Sequence, residues 1–193
     1  MTQKNLFEVD WSKIPAPSDD GGTAHLKGMA IPSISLPATD GTLVTLAGLG
    51  GRAVVFAYPR TGEPGRIALV DDWDMIPGAR GCTPQTCAFR DLFAELKAAG
   101  AAHVFGLSTQ TRAYQTEMAS RLHLPFAVLS DDKLLLTRAL DLPTMEVADL
   151  TLIKRLALIV DKARITHVFY PVFPPDRNAA DVLAWLKENP ADA

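Results

Sequence analysis

The chain has 193 residues, of which 48% are hydrophobic and 21% charged, and its net charge is −3. This size and composition are typical of one globular domain and short for two. The small negative charge argues against nucleic acid or an anionic membrane as the main partner, and no apolar run reaches the ~18 residues that a membrane span needs. The N-terminus lacks the apolar core of a signal peptide, so we expect a cytoplasmic protein.

The first elements follow a polar N-terminal segment that contains several prolines and glycines. We expect an extended or partly disordered arm over residues 1–28, followed by a single domain over 29–193. Residues 29–37 and 42–46 predict two strands joined by a turn at Asp40-Gly41. The apolar run 53–59 predicts a buried strand.

Residues 60–80 form a long segment rich in glycine and proline that also contains several apolar residues, among them Ile67, Leu69, Trp73 and Ile76. A loop of this length inside a compact domain is uncommon and is usually functional or disordered. Its apolar residues predict that it packs on the domain. A small satellite core, a lid over a reactive group and a dimer contact all fit this pattern.

The remaining chain alternates between strand and helix patterns. The predicted strands are 103–108, 126–130, 152–160 and 164–170, and the predicted helices are 110–122, 131–140 and 176–188. A final pair of strands around a turn at 161–163 requires antiparallel pairing, whereas the earlier alternation favours parallel strands. The order therefore predicts an α/β fold with a mixed sheet.

The chain contains two cysteines, Cys82 and Cys87. Apolar residues recur at helical spacing over 88–99, and Gly100 ends the pattern, so Cys82 falls at or beside a helix N-terminus. Unpaired N–H groups and the positive end of the helix dipole favour a thiolate there, which is the nucleophilic form of cysteine. The alternative is two inert buried thiols. A metal site is less favoured, since the histidines are scattered and the cysteine spacing matches no zinc pattern.

Several segments resemble the active-site region of peroxiredoxins, and among these the bacterioferritin-comigratory-protein or peroxiredoxin Q subgroup. The segments are Tyr58-Pro59, Gly81-Cys82-Thr83-Pro84-Gln85-Thr86-Cys87-Ala88-Phe89-Arg90-Asp91, Ser130-Asp131, Arg155 before Leu158-Ile159-Val160-Asp161, His167-Val168-Phe169 and Val182-Leu183-Ala184-Trp185-Leu186-Lys187. The resemblance implies a thioredoxin-like fold, with a mixed central sheet flanked by helices and an N-terminal β-hairpin. It also implies the reduction of hydrogen peroxide or organic hydroperoxides, without metal or other cofactor.

By this resemblance, Cys82 is the peroxidatic cysteine and Cys87 the resolving one. Pro59 matches a proline that shields the site, and Arg155 matches an arginine that reaches the thiolate from a neighbouring strand. The sulfenic acid formed on Cys82 would condense with Cys87 to a disulfide, which thioredoxin or glutaredoxin would reduce. The subgroup is consistent with a monomer or a homodimer.

The chain departs from the family three residues before Cys82. The family has threonine or serine there, whereas this chain has Ala79, and residues 60–80 lengthen the connection from Pro59. We expect Thr61 to replace the missing hydroxyl, because it follows the predicted strand and Pro59 directly. Thr83 is a weaker candidate.

Two other functions remain open at the level of sequence. A thiol–disulfide oxidoreductase or redox sensor could use the same fold, and the absence of a hydroxyl at Ala79 favours it mildly. Such enzymes typically carry a C-x-x-C motif, which this chain lacks. A non-enzymatic module could instead bind a partner through residues 60–80.

Overall fold

The computed structural model describes residues 9–66 and 68–191. The first eight residues of the predicted arm, and Ile67 of the predicted satellite core, lie outside them. The strands within this part of the chain are β1 (Ser35–Pro37), β2 (Leu43–Thr45), β3 (Ala53–Ala57), β4 (His103–Ser108), β5 (Val128–Ser130), β6 (Thr144–Val147), β7 (Leu150–Ile153), β8 (Leu156–Asp161) and β9 (Arg164–Phe169). The α-helices are α1 (Cys82–Asp91), α2 (Phe93–Ala98), α3 (Arg112–Arg121), α4 (Leu135–Ala139) and α5 (Asn178–Glu188).

The central sheet has five strands in the order β5-β4-β3-β8-β9. Strand β3 lies in the middle, parallel to β4 and antiparallel to β8, and β9 completes the hairpin with β8. All five residues of β3 are buried, as its continuous apolar sequence predicts for a strand covered on both faces. The predicted mixed sheet is therefore confirmed.

Each face of the sheet has its own core. On one face, Val54 and Phe56 of β3 pack with α1, α2, α3 and α5, and the Phe56 ring stacks on Phe89 with centroids 4.0 Å apart. On the other face, Val55 and Ala57 pack with α4 and with the β1–β2 hairpin. No helix of the described residues combines the length and apolar character needed to cross a bilayer.

One predicted strand, 152–160, is wrong as a single element. The structure divides it into β7 and β8, with Lys154 and Arg155 between them. Strand β7 pairs with β6 in a separate hairpin, which was not predicted, whereas β8 joins the central sheet. Apolar residues on both sides of the break hide it in the sequence, because the choice of pairing partner is non-local.

The segment 60–80 packs on this β6–β7 hairpin. Trp73, in a short 3-10 helix, forms a small cluster with Ala79 and with Val147 and Leu152 of the hairpin. Partly buried Leu69 and Ile76 border the same cluster. These contacts are those of the satellite core that the apolar pattern predicts.

The described part of the N-terminal segment is packed rather than free. Leu26 is fully buried in one core, and Trp11 contacts the chain just before α1. Residues 9–28 are therefore not a disordered arm, whereas the division of the chain at residue 28 stays a prediction. Single apolar residues in a polar segment carry no periodic signal, so the sequence did not show where they bind.

Candidate active site

Cys82 is the first residue of α1, and the backbone before it has a conformation that requires glycine. Gly81 has a φ of +102°, and a Cβ at this position would lie 2.7 Å from both Pro175 Cγ and Trp11 Cη2. A side chain is therefore excluded by conformation and by space. The predicted location of Cys82 at a helix N-terminus is confirmed, and its thiol donates to the carbonyl oxygen of Ala79 at 3.5 Å.

Arg155 brings a positive charge to this thiol from the two-residue break between β7 and β8. Its Nη2 lies 3.3 Å from Cys82 Sγ. The same nitrogen lies 3.1, 3.2 and 3.0 Å from the carbonyl oxygens of Gly78, Ala79 and Arg80. These carbonyls hold the guanidinium against the sulfur.

Two further polar side chains orient the guanidinium. Gln85, one turn after Cys82 in α1, accepts a hydrogen bond from Arg155 Nη1 through Oε1. Gln85 Nε2 in turn donates to Asn178 Oδ1 at 2.9 Å. All three side chains are buried, so helices α1 and α5 together determine the direction in which Arg155 points.

Sequence reasoning missed Gln85 and Asn178 as site residues. The available signal was modest: Gln85 follows Cys82 by three residues and so lies on the same side of a helix. Within the described residues, Arg155 Nε has no hydrogen-bond partner although it is buried. A buried donor without a partner costs about 1–3 kcal/mol, and an acceptor that reached it would remove this cost.

Cys87 lies in the same uninterrupted helix as Cys82. Both thiols are free and buried, and the Thr86 hydroxyl donates to the Cys82 carbonyl at 2.9 Å. Burial raises the pKa of Cys87, and the nearby Arg90 opposes this effect only in part. Residues five apart in a helix have Cα atoms ~8 Å apart, whereas a disulfide needs about 4.4–6.8 Å. The first turn of α1 must therefore unwind before the two sulfurs can bond.

Tyr58, the residue directly after β3, is a neighbour of Cys82. Burial raises the pKa of Tyr58, and the neighbouring Cys82 raises it further. The Tyr58 hydroxyl donates to Gln115 Oε1 at 2.9 Å. Pro59 is buried, and its carbonyl accepts a hydrogen bond from Ser108 Oγ at 3.2 Å. The role of Pro59 as a shield for Cys82 stays a prediction.

The Thr61 hydroxyl, which was expected to serve the thiol, has a different hydrogen-bond partner in the structure. This hydroxyl donates to Gln110 Oε1 at 3.1 Å, and the Thr61 N–H donates to the same oxygen at 2.9 Å. Tyr114 and Gln110 Nε2 contact the Thr61 carbonyl at 3.0 and 3.3 Å. Because its polar groups are used in binding α3 and the loop before it, Thr61 anchors the start of segment 60–80. Ala79 contributes a carbonyl oxygen to the site, but no hydroxyl.

The Redoxin family model matches residues 26–183. The chain belongs to the redoxin family. Peroxiredoxin Q of the chloroplast from Oryza sativa subsp. japonica is 33% identical over 165 residues, which are 83% of this chain and 66% of the relative. The Populus jackii chloroplast protein is 32% identical, with 83% of this chain and 68% of the relative covered. These matches place the redoxin in the peroxiredoxin Q group.

Solved structures agree on the fold of this redoxin. Peroxidoxin BcpB from Mycobacterium tuberculosis superposes with a TM-score of 0.69 and 24% identity, covering 86% of this chain and 100% of that one. The predicted thioredoxin-like fold is confirmed. The chain spans about two thirds of the length of the plant relatives, 66% in the rice protein. Among the described residues, no group of three or more His, Cys, Asp or Glu side chains is arranged to hold a metal ion.

Proposed function

We propose that this redoxin is a thiol-dependent peroxidase that reduces hydrogen peroxide or organic hydroperoxides. The observation that carries the proposal is the 3.3 Å contact between Arg155 Nη2 and Cys82 Sγ at the start of α1. A buried cation next to a thiol favours the thiolate, and the same cation can donate to an oxygen on which charge develops. Its membership of the peroxiredoxin Q group supports the same chemistry.

In the first step, the Cys82 thiolate attacks one oxygen of the peroxide and the O–O bond breaks. Sulfur is oxidised to a sulfenic acid, and the second oxygen leaves and takes up a proton to become water or an alcohol. Arg155 and the unpaired N–H groups of the first turn of α1 would stabilise the leaving oxygen. Since Ala79 has no hydroxyl, these groups would act without the additional donor of the family.

In the second step, the Cys87 thiol attacks the Cys82 sulfenic acid. An S–S bond forms, the S–O bond breaks and water leaves with the thiol proton. The raised pKa of Cys87 disfavours its thiolate while α1 is intact. Unwinding of α1 would remove the burial that causes this shift, so the same movement would bring the sulfurs together and activate Cys87.

Thioredoxin or glutaredoxin would then reduce the disulfide, through a mixed disulfide and with oxidation of its own dithiol. This cycle requires a reducing compartment, and we propose the cytoplasm. It needs one subunit only, so a monomer or a homodimer would be active.

The test is the mass of the reduced protein after one equivalent of hydrogen peroxide. We expect a loss of two hydrogens, because one molecule of peroxide leaves as two of water while an internal disulfide forms. Peptide mapping should place the bond between Cys82 and Cys87. An unchanged protein mass, in a sample with no other component that consumes peroxide, would overturn the proposal. A bond between two protein molecules would exclude Cys87 as an intramolecular partner.

A further inference from the structure

Part of the N-terminal segment lies across the residues that precede Cys82. We call residues 11–20 the N-terminal strap. The Trp11 ring contacts the Gly81 backbone so closely that a Cβ on Gly81 would be 2.7 Å from its Cη2. Further along the strap, Pro17 lies next to Gly78 at a distance of 3.6 Å from the position of a Cβ. The strap therefore covers both ends of the short turn that leads into α1.

The Trp11 end of the strap binds residues 173–176, which precede α5. Trp11 Nε1 donates to Asp176 Oδ2 at 2.9 Å, and its ring meets Phe173 edge to face with centroids 6.0 Å apart. Pro175, next to Asp176, also contacts Gly81. Gly81 is thus enclosed between the Trp11 ring and the Pro175 ring.

The other end of the strap is attached beside Arg155. Asp20 Oδ2 accepts a hydrogen bond from Lys154 at 2.6 Å, and Oδ1 accepts one from the Tyr170 hydroxyl at 2.7 Å. Lys154 directly precedes Arg155 in the break between β7 and β8. The strap therefore bridges the segment before Cys82 and the segment that supplies its guanidinium. It also precedes residue 26, where the match to the redoxin family begins.

We propose that the N-terminal strap restrains the unwinding of the first turn of α1. It thereby determines what fraction of the Cys82 sulfenic acid becomes the disulfide with Cys87 and what fraction is oxidised further to a sulfinic acid. The second half of this inference rests on the proposed peroxidase function. Unwinding must move Gly81 and Cys82, and Gly81 cannot move towards the strap while the Trp11 ring is in place. A strap that stays attached keeps the two thiols apart for longer.

The two products of the sulfenic acid arise from competing reactions. Attack by Cys87 gives the disulfide and water, and requires the unwound helix. Attack on a second peroxide molecule oxidises the sulfur to a sulfinic acid and releases water or an alcohol, and requires no unwinding. A slower unwinding step therefore increases the fraction of sulfinic acid formed at a given peroxide concentration.

The restraint is tested first without peroxide, by amide hydrogen exchange of the reduced full-length protein. The amides of Thr86 and Cys87 report unwinding, because each donates to a carbonyl one turn earlier in an intact helix. In Trp11→Ala we expect their exchange to be about two- to tenfold faster, as expected for the loss of one aromatic contact. Trp11→Phe keeps a ring against Gly81 but loses the N–H donated to Asp176, so its effect should be smaller.

Leu43→Ala is the matched control. Leu43 is 71% exposed in β2, so the variant loses a large apolar side chain that does not touch α1. Its Thr86 and Cys87 amides should exchange as in the wild type. Equal exchange in the wild type and Trp11→Ala would overturn the restraint, as would equal acceleration in Leu43→Ala. The melting temperature of each variant shows whether global unfolding contributes.

The division of products is then measured by mass at increasing hydrogen peroxide. Trp11→Ala should require about two- to tenfold more peroxide than the wild type to reach the same sulfinic acid fraction. An unchanged fraction together with faster amide exchange would refute the role in product choice. Failure of the proposed peroxidase function can be distinguished from failure of the restraint. If the function is wrong, the wild type forms neither the disulfide nor the sulfinic acid. The exchange experiment still decides whether the strap restrains α1.

Discussion

The guanidinium of Arg155 and the thiol of Cys82 are 73 residues apart in the chain and 3.3 Å apart in the structure. The local sequence around either residue does not account for this contact. The contact depends on the break between β7 and β8, on three carbonyl oxygens before Cys82 and on the Gln85 side chain. Its consequences for reactivity and stability can be measured separately.

Replacing Arg155 by methionine should slow the reaction of Cys82 with peroxide by about 10²–10³-fold, the usual cost of one aligned donor to a developing oxyanion. The measurement is the second-order rate constant with hydrogen peroxide, followed by stopped flow. Arg155→Lys is the control, because it keeps the charge but cannot form the same pair of contacts to Gln85 and Cys82. Its rate constant should lie between those of the wild type and Arg155→Met. A methionine variant within twofold of the wild type would show that the contact has no catalytic role.

Replacing Gln85 by leucine should act through Arg155 rather than directly. Arg155 Nη1 and Asn178 Oδ1 each lose the hydrogen bond that they form with Gln85. The free energy of unfolding should therefore fall by about 1–3 kcal/mol for each of these two groups. The peroxide rate should fall by about tenfold or less, because the guanidinium keeps its charge but loses part of its orientation. In an Arg155→Met background the same change should have little further effect on the rate. Additive losses in the double variant would contradict this positioning role.

The two cysteines should differ in what happens after peroxide is added. Cys82→Ser should consume no peroxide, because a serine hydroxyl is too weakly acidic to act as the nucleophile and cannot form a sulfenic acid. Cys87→Ser should react once and accumulate a sulfenic acid, detectable as a mass increase of one oxygen or by dimedone labelling. Normal multiple turnover of Cys87→Ser with thioredoxin would show that another thiol resolves the sulfenic acid.

Thr61→Val should change the peroxide rate by no more than about threefold, since the hydroxyl donates to Gln110 and not to the Cys82 site. The loss of this hydrogen bond should lower the free energy of unfolding by about 1 kcal/mol. Chemical denaturation and stopped-flow kinetics on the same variant separate the two effects. A rate loss of about 10²-fold or more would instead support the hydroxyl-replacement hypothesis made from the sequence.

The attachment of the N-terminal strap through Asp20 should depend on pH. Hydrogen bonds from Lys154 and then Tyr170 hold the pKa of Asp20 well below its ordinary value of 3.8. A lowered native pKa contributes stability above the unfolded value, and this contribution is lost as the pH falls below about 3.8 towards the native pKa. The stability difference between the wild type and Asp20→Asn should therefore be largest near neutral pH and shrink below pH ~4.

Urea unfolding of both proteins at several pH values and at low salt measures this difference. The effect should be small and should decrease with added salt, because the ion pair is exposed to solvent. A stability difference that grows on acidification would contradict the assignment of Asp20 as the titrating group.

The sequence by itself determined the features that depend on local physical chemistry. The continuous apolar run 53–59 specified a strand buried on both faces, and the predicted strand 103–108 coincides with β4. The helical spacing over 88–99 placed Cys82 at a helix start, because such periodicity is a property of residues close together in the chain. The mixed sheet followed from the order of strands and helices.

Only the tertiary structure decided which distant groups meet at Cys82. Apolar residues flank the pair Lys154-Arg155 on both sides, so the sequence could not show the break that turns Arg155 towards the thiol. The contacts of Gln85 with Asn178, of Thr61 with Gln110 and of Trp11 with Gly81 each join segments far apart in the chain. Such contacts depend on strand register and helix packing, in which a shift of one residue changes which side chains face each other.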